Sequence, residues 1–298
     1  MTSWKIGVDL GGTKTETILL DENGSEVWRK RLPTPRDDGY RAILDNIAEL
    51  ISLAVREIPA ANPSYTLGMG IPGIVDERSG LVMNANTTIL IGNPLRKDLE
   101  NILRHPIRIE NDANCFALAE CRSGAAVGCQ TVFGVIMGTG CGGGLYIHGD
   151  VHSGFHGIAG EWGHFSIDPQ GAPCWCGNRG CIETKISGSG VENSYRTIYK
   201  EQKSMNDITE GFRNGDTNCI SVMNQFFDDF GRALGGLISI LDPDAVVIGG
   251  GLSNIEELYS EGIEKVKQYV FHRDIQTPIL KNKLGDSAGV FGAAWIGI

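Results

Sequence analysis

Positive charge is scarce in this sequence. Its 298 residues include 26 Lys and Arg against 36 Asp and Glu, which gives a formal net charge of -10. A nucleic-acid surface needs clustered Lys and Arg to neutralise backbone phosphates. We therefore expect no nucleic-acid partner. The deficit does not exclude a phosphorylated small molecule, because oriented backbone N–H groups bind phosphate without net positive charge.

Long apolar stretches are also missing. No run approaches the roughly 20 apolar residues of a membrane-spanning helix, and residues 1–9 contain no apolar signal core. We therefore expect a cytoplasmic protein with no membrane partner. In that reducing compartment the eight cysteines are not expected to form disulfides.

Two common nucleotide-binding motifs do not fit. The pattern G-x-G-x-x-G occurs at residues 68–73 and 138–143, but neither last glycine opens a helix, as dinucleotide binding requires. The P-loop order is also absent, because Gly12 is followed by Thr13-Lys14 instead of Lys-Ser/Thr. The kinase class to consider is one that binds phosphates in β-hairpin turns.

Glycine, by contrast, is abundant and clustered. The 41 glycines concentrate at residues 11–12, 68–73, 138–144 and 249–251, each time after a short β-rich run. Glycine there permits positive φ and close approach of the backbone to a ligand. A strand, a glycine turn and a return strand occur at residues 6–20 and again at 131–147. This recurrence indicates an internal duplication.

The alternation of strands and helices predicts an α/β protein of two lobes. We assign residues 1–112, joined by a C-terminal helix at 286–298, to the first lobe. Residues 113–285 form the second lobe.

The two hairpin turns are candidates for binding a triphosphate from both sides. Around the first turn, glycine N–H groups, the Thr13 hydroxyl and the Lys14 charge suit phosphate, and Asp9 could organise Mg²⁺ through water. Taken alone, this stretch fits a tight surface hairpin equally well, and its pairing with the second turn favours nucleotide. The ATP-binding candidates in the two turns are Asp9, Gly11, Gly12, Thr13, Lys14, Gly138, Thr139, Gly140, Cys141 and Gly142.

Asn111 and Asp112 stand between a predicted strand and a predicted helix. Asp and Asn are favoured at helix N-caps, so a cap is the simpler interpretation of this pair by itself. The functional alternative is a general base that takes the proton of a hydroxyl attacking a phosphate.

A Cys/His cluster is the most specific feature. His164, Cys174, Cys176 and Cys181 lie within eighteen residues and supply a complete Cys₃His set for zinc. The one-residue spacing between Cys174 and Cys176 is not the common C-x₂-C, but nearby glycines supply a flexible turn. A closed site of this kind is structural. It would rigidify the loop that presents Glu161 and Glu183, whose carboxylates suit sugar hydroxyls.

Together these residues resemble the ROK family (repressor, open reading frame, kinase) over essentially the whole chain. The resemblance implies an actin-like (ribonuclease H-like), duplicated two-lobed α/β fold with a zinc-binding loop in the second lobe. It rests on residues 9–14, 70–73, 111–112, 138–143, 159–164, 174–183, 242–244 and 248–253.

The resemblance also implies roles for individual residues. Asp112 would be the catalytic base. Gly73, Asn111, Glu161, His164 and Glu183 would contact the sugar, with His164 also a zinc ligand. Gly249, Gly250 and Gly251 would approach the adenosine end of ATP. The implied cofactors are ATP with Mg²⁺, and structural Zn²⁺.

Three stretches look most like bacterial fructokinases and mannokinases: residues 32–38, 84–88 and 285–289. We therefore expect transfer of the γ-phosphate of ATP to the 6-hydroxyl of fructose, with mannose or glucose as further substrates. The alternative is an N-acetylglucosamine or N-acetylmannosamine kinase of the same family. N-acetylglucosamine kinases usually read Asn-Val-Pro where this chain has a different sequence around Asn86.

Two alternatives from other classes stay open. One is a non-catalytic, sugar-sensing repressor of the family, although we expect no helix-turn-helix segment in the eight residues before Asp9. The other is a different enzyme of the same superfold, such as an acetate kinase, against which the Cys/His cluster argues. We also expect a homodimer.

Overall fold

The structure is a computed structural model that describes residues 3–61 and 63–297. The chain divides into two compact units. The first unit consists of Met1–Ser123, Gly144–Ala159 and Asp286–Ile298, and the second of Gly124–Gly143 and Gly160–Gly285. The sequence predicts that the first lobe ends at residue 112. In the structure the helix that follows residue 112 belongs to the first unit, because it packs against the C-terminal helix.

The first part of the chain is a mixed series of strands and helices. Its strands are β1 (Trp4–Leu10), β2 (Lys14–Leu20), β3 (Glu26–Pro33), β4 (Tyr65–Ile71), β5 (Ile74–Val75), β6 (Val82–Met83) and β7 (Arg108–Asn111), and its helices are α1 (Tyr40–Arg56), α2 (Leu95–Leu103) and α3 (Asp112–Ser123).

The chain from residue 131 onward contains further strands and helices, some of which belong to the first unit. Its strands are β8 (Thr131–Met137), β9 (Cys141–Ile147), β10 (Asp150–Val151), β11 (Ala245–Gly249) and β12 (Ile279–Lys281). Its helices are α4 (Glu183–Ile186), α5 (Gly188–Tyr199), α6 (Met205–Arg213), α7 (Thr217–Leu241), α8 (Glu261–Tyr269) and α9 (Ala288–Ile296).

One face of the first sheet carries the main core. The strand order is β3-β2-β1-β4-β7, with β1 antiparallel to β2 and parallel to β4. Ile6, Val8 and Leu10 alternate along β1 and are fully buried, in the same apolar cluster as Ile43 and Ile47 of α1. The alternation and the helical spacing together explain why these elements form and pack.

The other face of the first sheet lies against α9. A Cβ atom on Gly7 of β1 would lie 2.5 Å from the backbone nitrogen of Ala294, and one on Gly68 of β4 would lie 2.0 Å from the carbonyl oxygen of Ala293. Only glycine allows so close an approach of helix and sheet. Gly68, which opens one of the two G-x-G-x-x-G patterns, is therefore a packing residue.

The two sheets share one strand order. The second sheet reads β10-β9-β8-β11-β12, with β9 antiparallel to β10, and β11 parallel to both β8 and β12. In each sheet the three strands that come first in the chain lie side by side in reverse order. The two later strands follow in chain order on the other side of the earliest strand. The predicted duplicated, two-lobed α/β fold is confirmed.

Two local structures differ from what the sequence predicts. The apolar spacing over residues 255–270 predicts one continuous helix, whereas the structure has two separate elements there: a 3₁₀ turn at Glu256–Tyr259, and α8. Ser260 between them leaves the helical region, with φ -119° and ψ -83°. The glycine cluster at 138–144 is not one long turn, because β9 already begins at Cys141.

Among the described residues, every helix is too short or too polar to span a bilayer.

Candidate active site

The first glycine turn (residues 11–13) joins β1 to β2, and Thr34 fixes its shape. The Thr34 hydroxyl donates to the carbonyl oxygen of Gly11 at 2.8 Å, and the Thr34 N–H donates to the carbonyl oxygen of Thr13 at 3.0 Å. The Gly11 N–H donates to the carbonyl oxygen of Lys14 at 2.9 Å. The carbonyl groups of Gly11 and Thr13 are thus engaged with the protein. No sequence pattern indicates this role of Thr34, since the residue follows β3 and its partners lie in the turn between β1 and β2.

Asp9 stands on β1 just before the first glycine turn. A Cβ atom on Gly289 would lie 3.3 Å from Asp9 Oδ2, and one on Gly70 would lie 3.8 Å from Asp9 Oδ1. Burial and the negative charge of Glu16, which pairs with Asp9 across the strands, raise the pKa of Asp9 to about 6. The two glycines leave the room that this carboxyl group occupies.

Asn111, not Asp112, holds the cap position of α3, because the helix begins at Asp112. The Ala113 N–H donates to Asn111 Oδ1 at 2.9 Å and to Asp112 Oδ1 at 2.8 Å. The Asn111 side-chain amide donates to the carbonyl oxygen of Gly73 at 3.3 Å. The structure thus brings three predicted site residues together at the end of β7.

Glu110 supports this arrangement, a role that sequence analysis did not assign. Its Oε1 atom accepts hydrogen bonds from the N–H of Asn111 and from the side-chain amide of Asn114, both at 2.9 Å. Its Oε2 atom accepts one from the Ser153 hydroxyl at 2.6 Å. The position of Glu110 directly before Asn111-Asp112 is the sequence feature that could have indicated this supporting role.

The second glycine turn (residues 138–140) joins β8 to β9. The backbone N–H of Gly188, the first residue of α5, donates to the carbonyl oxygen of Gly138 at 2.8 Å. The Cys141 N–H donates to Glu183 Oε2 at 3.0 Å. The turn is therefore held by the start of α5 and by the first residue of α4. Cys141 and Gly142 lie in β9 and not in the turn.

The third glycine turn (residues 249–251) ends β11 beside the second. Gly250 has φ +77°, and a Cβ atom on it would lie 2.4 Å from the carbonyl oxygen of Met137. A Cβ atom on Gly138 would lie 3.9 Å from the Gly251 nitrogen. Gly251 also lines a cavity of about 310 Å³ with residues of α6, including Thr209 and Arg213. Of the three predicted adenosine-side glycines, Gly251 thus borders a cavity within the second unit.

The Cys/His cluster is assembled in the structure. One ligand atom from each of its four residues lies within 4.8 Å of the others. Cys174 Sγ is 3.7 Å from His164 Nδ1, and Cys176 Sγ is 3.6 Å from Cys181 Sγ. Tetrahedral zinc, with Zn–S of about 2.3 Å and Zn–N of about 2.0–2.1 Å, separates its ligand atoms by about 3.5–3.8 Å. The donor set and its spacing fit zinc.

Glu183 and Glu161 flank the Cys/His cluster differently. Glu183 Oε1 accepts a hydrogen bond from the Trp175 indole N–H at 2.8 Å, so this carboxylate is engaged through both oxygens. Glu161 is exposed and precedes the 3₁₀ turn Trp162–His164. Nearby protein atoms displace water from its carboxyl group and raise its pKa; His164 opposes this shift and the charge of Glu183 adds to it.

Each unit therefore gathers its own share of the predicted site. The first unit holds Asp9, Gly11–Lys14, Gly73, Asn111 and Asp112. The second holds the other two glycine turns, Glu161, Glu183 and the Cys/His cluster.

Relatives with similar sequences include two bacterial N-acetyl-D-glucosamine kinases. The enzyme of Yersinia pseudotuberculosis is 39% identical over 300 residues, covering 97% of this chain and 97% of that protein. The enzyme of Haemophilus influenzae is 36% identical over 299 residues, with 97% of each chain covered.

Solved structures agree with this chain over nearly its whole length. A ROK hexokinase from Thermus thermophilus has a TM-score of 0.89 and 31% identity, with 99% of this chain and 97% of that chain covered. A ROK family glucokinase from Streptomyces griseus, in complex with glucose and AMPPNP, has a TM-score of 0.79 and 28% identity, with 99% of each chain covered.

The relatives overturn the expected preference for fructose. That preference rested on three short stretches, and chiefly on residues 84–88. N-acetyl-D-glucosamine kinases at 36–39% identity match this chain along almost its entire length. Agreement over about 300 aligned residues outweighs a difference at a few positions, so the fructokinase prediction is wrong.

The family model matches residues 5–298, which is nearly the whole sequence. This match and the full-length relatives confirm the resemblance on which the sequence analysis relied. The chain belongs to the ROK family, on its sugar-kinase side.

Proposed function

We propose that this chain is an ATP-dependent N-acetyl-D-glucosamine kinase that phosphorylates the 6-hydroxyl of the sugar. The observation that carries the proposal is the 39% identity to the Yersinia pseudotuberculosis enzyme, over 97% of both chains. The arrangement of the site residues supports it, because each group that such a reaction needs has a defined place in one of the two units.

On the sugar side, Asn111 and Gly73 form one supporting group. Their hydrogen bond holds the Asn111 amide at the start of α3, next to the Asp112 carboxylate. In the second unit, Glu161 offers an exposed carboxylate to sugar hydroxyls. We assign Glu183 a smaller share of sugar binding, because both of its oxygens already accept hydrogen bonds from Cys141 and Trp175.

On the nucleotide side, the first two glycine turns would bind the phosphates through backbone N–H groups. The third turn and its neighbouring cavity would receive the adenosine end. Mg²⁺, bound with ATP, would neutralise the negative charge that develops on the phosphate oxygens. Asp9 would orient the waters of that ion, and its carboxylate is mostly ionised near neutral pH, since its pKa is about 6.

Asp112 is the proposed base. It would accept the proton of the 6-hydroxyl as that oxygen attacks the γ-phosphorus, and Asn111 would hold the sugar in line. Phosphoryl transfer passes through a loose transition state, so positioning and charge neutralisation contribute most of the rate enhancement. ADP then leaves with the β-phosphate oxygen that the breaking bond released.

The Cys/His cluster is the proposed structural zinc site. His164 faces Cys174 with Nδ1, so that nitrogen would bind the ion and leave Nε2 for a sugar hydroxyl. A closed four-ligand site provides rigidity and no open position for catalysis. Zinc would thereby order the segment from Glu161 to Glu183.

An ADP-release assay with N-acetylglucosamine, N-acetylmannosamine, glucose, mannose and fructose tests the proposal. We expect kcat/KM for N-acetylglucosamine to exceed that for fructose at least about tenfold, which corresponds to about 1.4 kcal/mol of discrimination. A higher kcat/KM for any other sugar would refute the assignment. Sugar binding without phosphorylation of any of the five would instead favour a non-catalytic sensor. The homodimer stays a prediction.

A further inference from the structure

Thr87 has a buried hydroxyl group without a partner. The residue is only 5% exposed, and its Oγ1 atom makes no hydrogen bond with any residue that the structure describes. Thr87 precedes the 3₁₀ turn Thr88–Leu90, but its side chain does not cap that turn. A buried polar group left unpaired destabilises the folded state, because it has lost its hydrogen bonds to water. Such a group calls for a specific explanation.

The backbone around Thr87 is well anchored. The Asn86 N–H donates to the carbonyl oxygen of Pro72 at 2.9 Å, and the Leu90 N–H donates to the carbonyl oxygen of Thr87 at 3.0 Å. Ala85 fills the space where Gly73 has no side chain: a Cβ atom on Gly73 would lie 2.8 Å from Ala85 Cβ. The backbone on both sides of Thr87 is therefore fixed, which restricts where its side chain can lie.

The hydroxyl faces the first glycine turn. A Cβ atom on Gly12 would lie 3.5 Å from Thr87 Oγ1. Because Gly12 has no side chain, nothing from that residue covers the hydroxyl. An oxygen bound at the N–H groups of the turn would come within reach of the Thr87 hydroxyl. Because threonine is β-branched, rotation of this side chain about χ1 is restricted.

We propose that Thr87 Oγ1 donates a hydrogen bond to the terminal phosphoryl group of ATP, bound at the first glycine turn. The proposal rests on the proposed kinase function and adds a substrate-binding residue to it. The terminal group is chosen because Asp112, the proposed base, is in the same unit as this turn. A charge-assisted hydrogen bond from a pre-positioned hydroxyl would strengthen as negative charge redistributes over the phosphoryl oxygens.

Thr17 offers a matched control. It is fully buried in β2, in the same unit, and its Oγ1 atom also lacks a partner among the described residues. It is not part of any of the three glycine turns. If buried threonine hydroxyls in this protein were simply tolerated, Thr87 and Thr17 would respond alike to loss of the hydroxyl.

The experiment compares Thr87→Val, Thr87→Ser and Thr17→Val. For each variant, kcat/KM for Mg-ATP is measured with the sugar that wild type phosphorylates best, and calorimetry gives Kd for Mg-AMPPNP and Mg-ADP. We expect Thr87→Val to lower kcat/KM about tenfold to a hundredfold, the value of one hydrogen bond to a charged group. AMPPNP should lose affinity and ADP should not. Thr87→Ser and Thr17→Val should stay close to wild type.

Thermal unfolding separates binding from structure. The melting temperature of Thr87→Val should equal or exceed that of wild type, because the substitution removes an unpaired hydroxyl. If valine does not fit the site, Thr87→Ala is compared with Thr87→Ser in its place. Wild-type kcat/KM in Thr87→Val, equal losses for AMPPNP and ADP, or equal losses in the Ser and Val variants would each overturn the proposal.

Failure of the proposed function would look different. A wild-type enzyme that prefers another sugar refutes the N-acetylglucosamine assignment but leaves the Thr87 comparison intact with that sugar. A wild-type protein that phosphorylates none of the sugars still yields the AMPPNP and ADP affinities, which alone decide whether Thr87 contacts the terminal phosphate.

Discussion

Glu183 Oε2 accepts a hydrogen bond from the backbone N–H of Cys141 at 3.0 Å. This bond joins the first residue after the second glycine turn to the end of the segment that carries the Cys/His cluster. The other carboxylate oxygen accepts the indole N–H of Trp175, which lies between two of the cluster's cysteines. Order in the segment that carries the Cys/His cluster is thus coupled to the shape of a proposed phosphate-binding turn.

Removal of the Glu183 carboxylate should therefore destabilise the second glycine turn. Cys141 is only 5% exposed, so Glu183→Ala leaves its N–H buried and unpaired, at a cost of about 1–3 kcal/mol in the free energy of unfolding. The KM for ATP should rise as well. Glu183→Gln keeps an oxygen acceptor and should lose less.

Urea unfolding and ATP kinetics measure both effects, and Glu201→Ala, at an exposed carboxylate, is the matched control. Unchanged stability and unchanged KM in Glu183→Ala would show that the hydrogen bond does not support the turn.

Zinc content is the second prediction. Protein purified without added metal should contain nearly one zinc per chain, because three cysteines and one histidine place their ligand atoms within 4.8 Å of one another. Cys176→Ser should lose most of the metal, lower the melting temperature and raise the KM for ATP through the Glu183 connection. Cys129→Ser, outside the Cys/His cluster, should keep full zinc content. Elemental analysis decides, and metal-free wild-type protein with normal stability would contradict the assignment.

The sequence was most informative where function depends on neighbouring residues. The two hairpin turns, the Cys/His cluster and the Asn111-Asp112 pair each lie within a short segment, and their residue types alone suggest their chemistry. The repeated strand–turn–strand pattern predicted the duplication that both sheets show. Local chemistry and periodicity survive folding unchanged, so such features can be read without coordinates.

What the sequence did not reveal depends on contacts between distant segments. Thr34 and Thr87 reach the first glycine turn from other parts of the first unit, and no local pattern marks either residue. The break at Ser260 interrupts an otherwise helical apolar spacing. The prediction of sugar preference failed for a related reason: it was inferred chiefly from residues 84–88, where the Thr87 side chain faces the first glycine turn.

Asp9 should make stability and nucleotide binding depend on pH. Its pKa is raised to about 6, so the folded state favours the neutral carboxyl group. The resulting stabilisation is full below about pH 4 and is lost as the pH rises through 6. Asp9→Asn removes this dependence, and its free energy of unfolding relative to wild type should increase between pH 5 and pH 8.

Urea unfolding of the nucleotide-free protein at several pH values tests this expectation, with the exposed Asp37→Asn as control. Mg-ATP should bind wild type more weakly below pH 6, because the ion requires the carboxylate. A difference between Asp9→Asn and wild type that stays constant from pH 5 to pH 8 would contradict the assigned pKa.

Asp112 provides the last prediction, the separation of base from helix start. The Ala113 N–H is shared by Asn111 Oδ1 and Asp112 Oδ1, at 2.9 and 2.8 Å. Asp112→Asn keeps an oxygen at that position, and Asn111 still occupies the cap, so the melting temperature should stay close to wild type. An amide cannot accept the hydroxyl proton, and general bases typically contribute ~10²–10⁴-fold in rate. We therefore expect kcat to fall at least about a hundredfold, with sugar affinity nearly unchanged.

Asn111→Ala is the matched comparison for this test. It removes the cap and the bond to Gly73, so the melting temperature should fall and the KM for sugar should rise, while Asp112 can still accept a proton. The two variants should therefore differ in kind: one loses kcat at constant stability, the other loses stability and sugar binding. An Asp112→Asn enzyme that keeps more than a tenth of wild-type kcat would show that Asp112 is not the base.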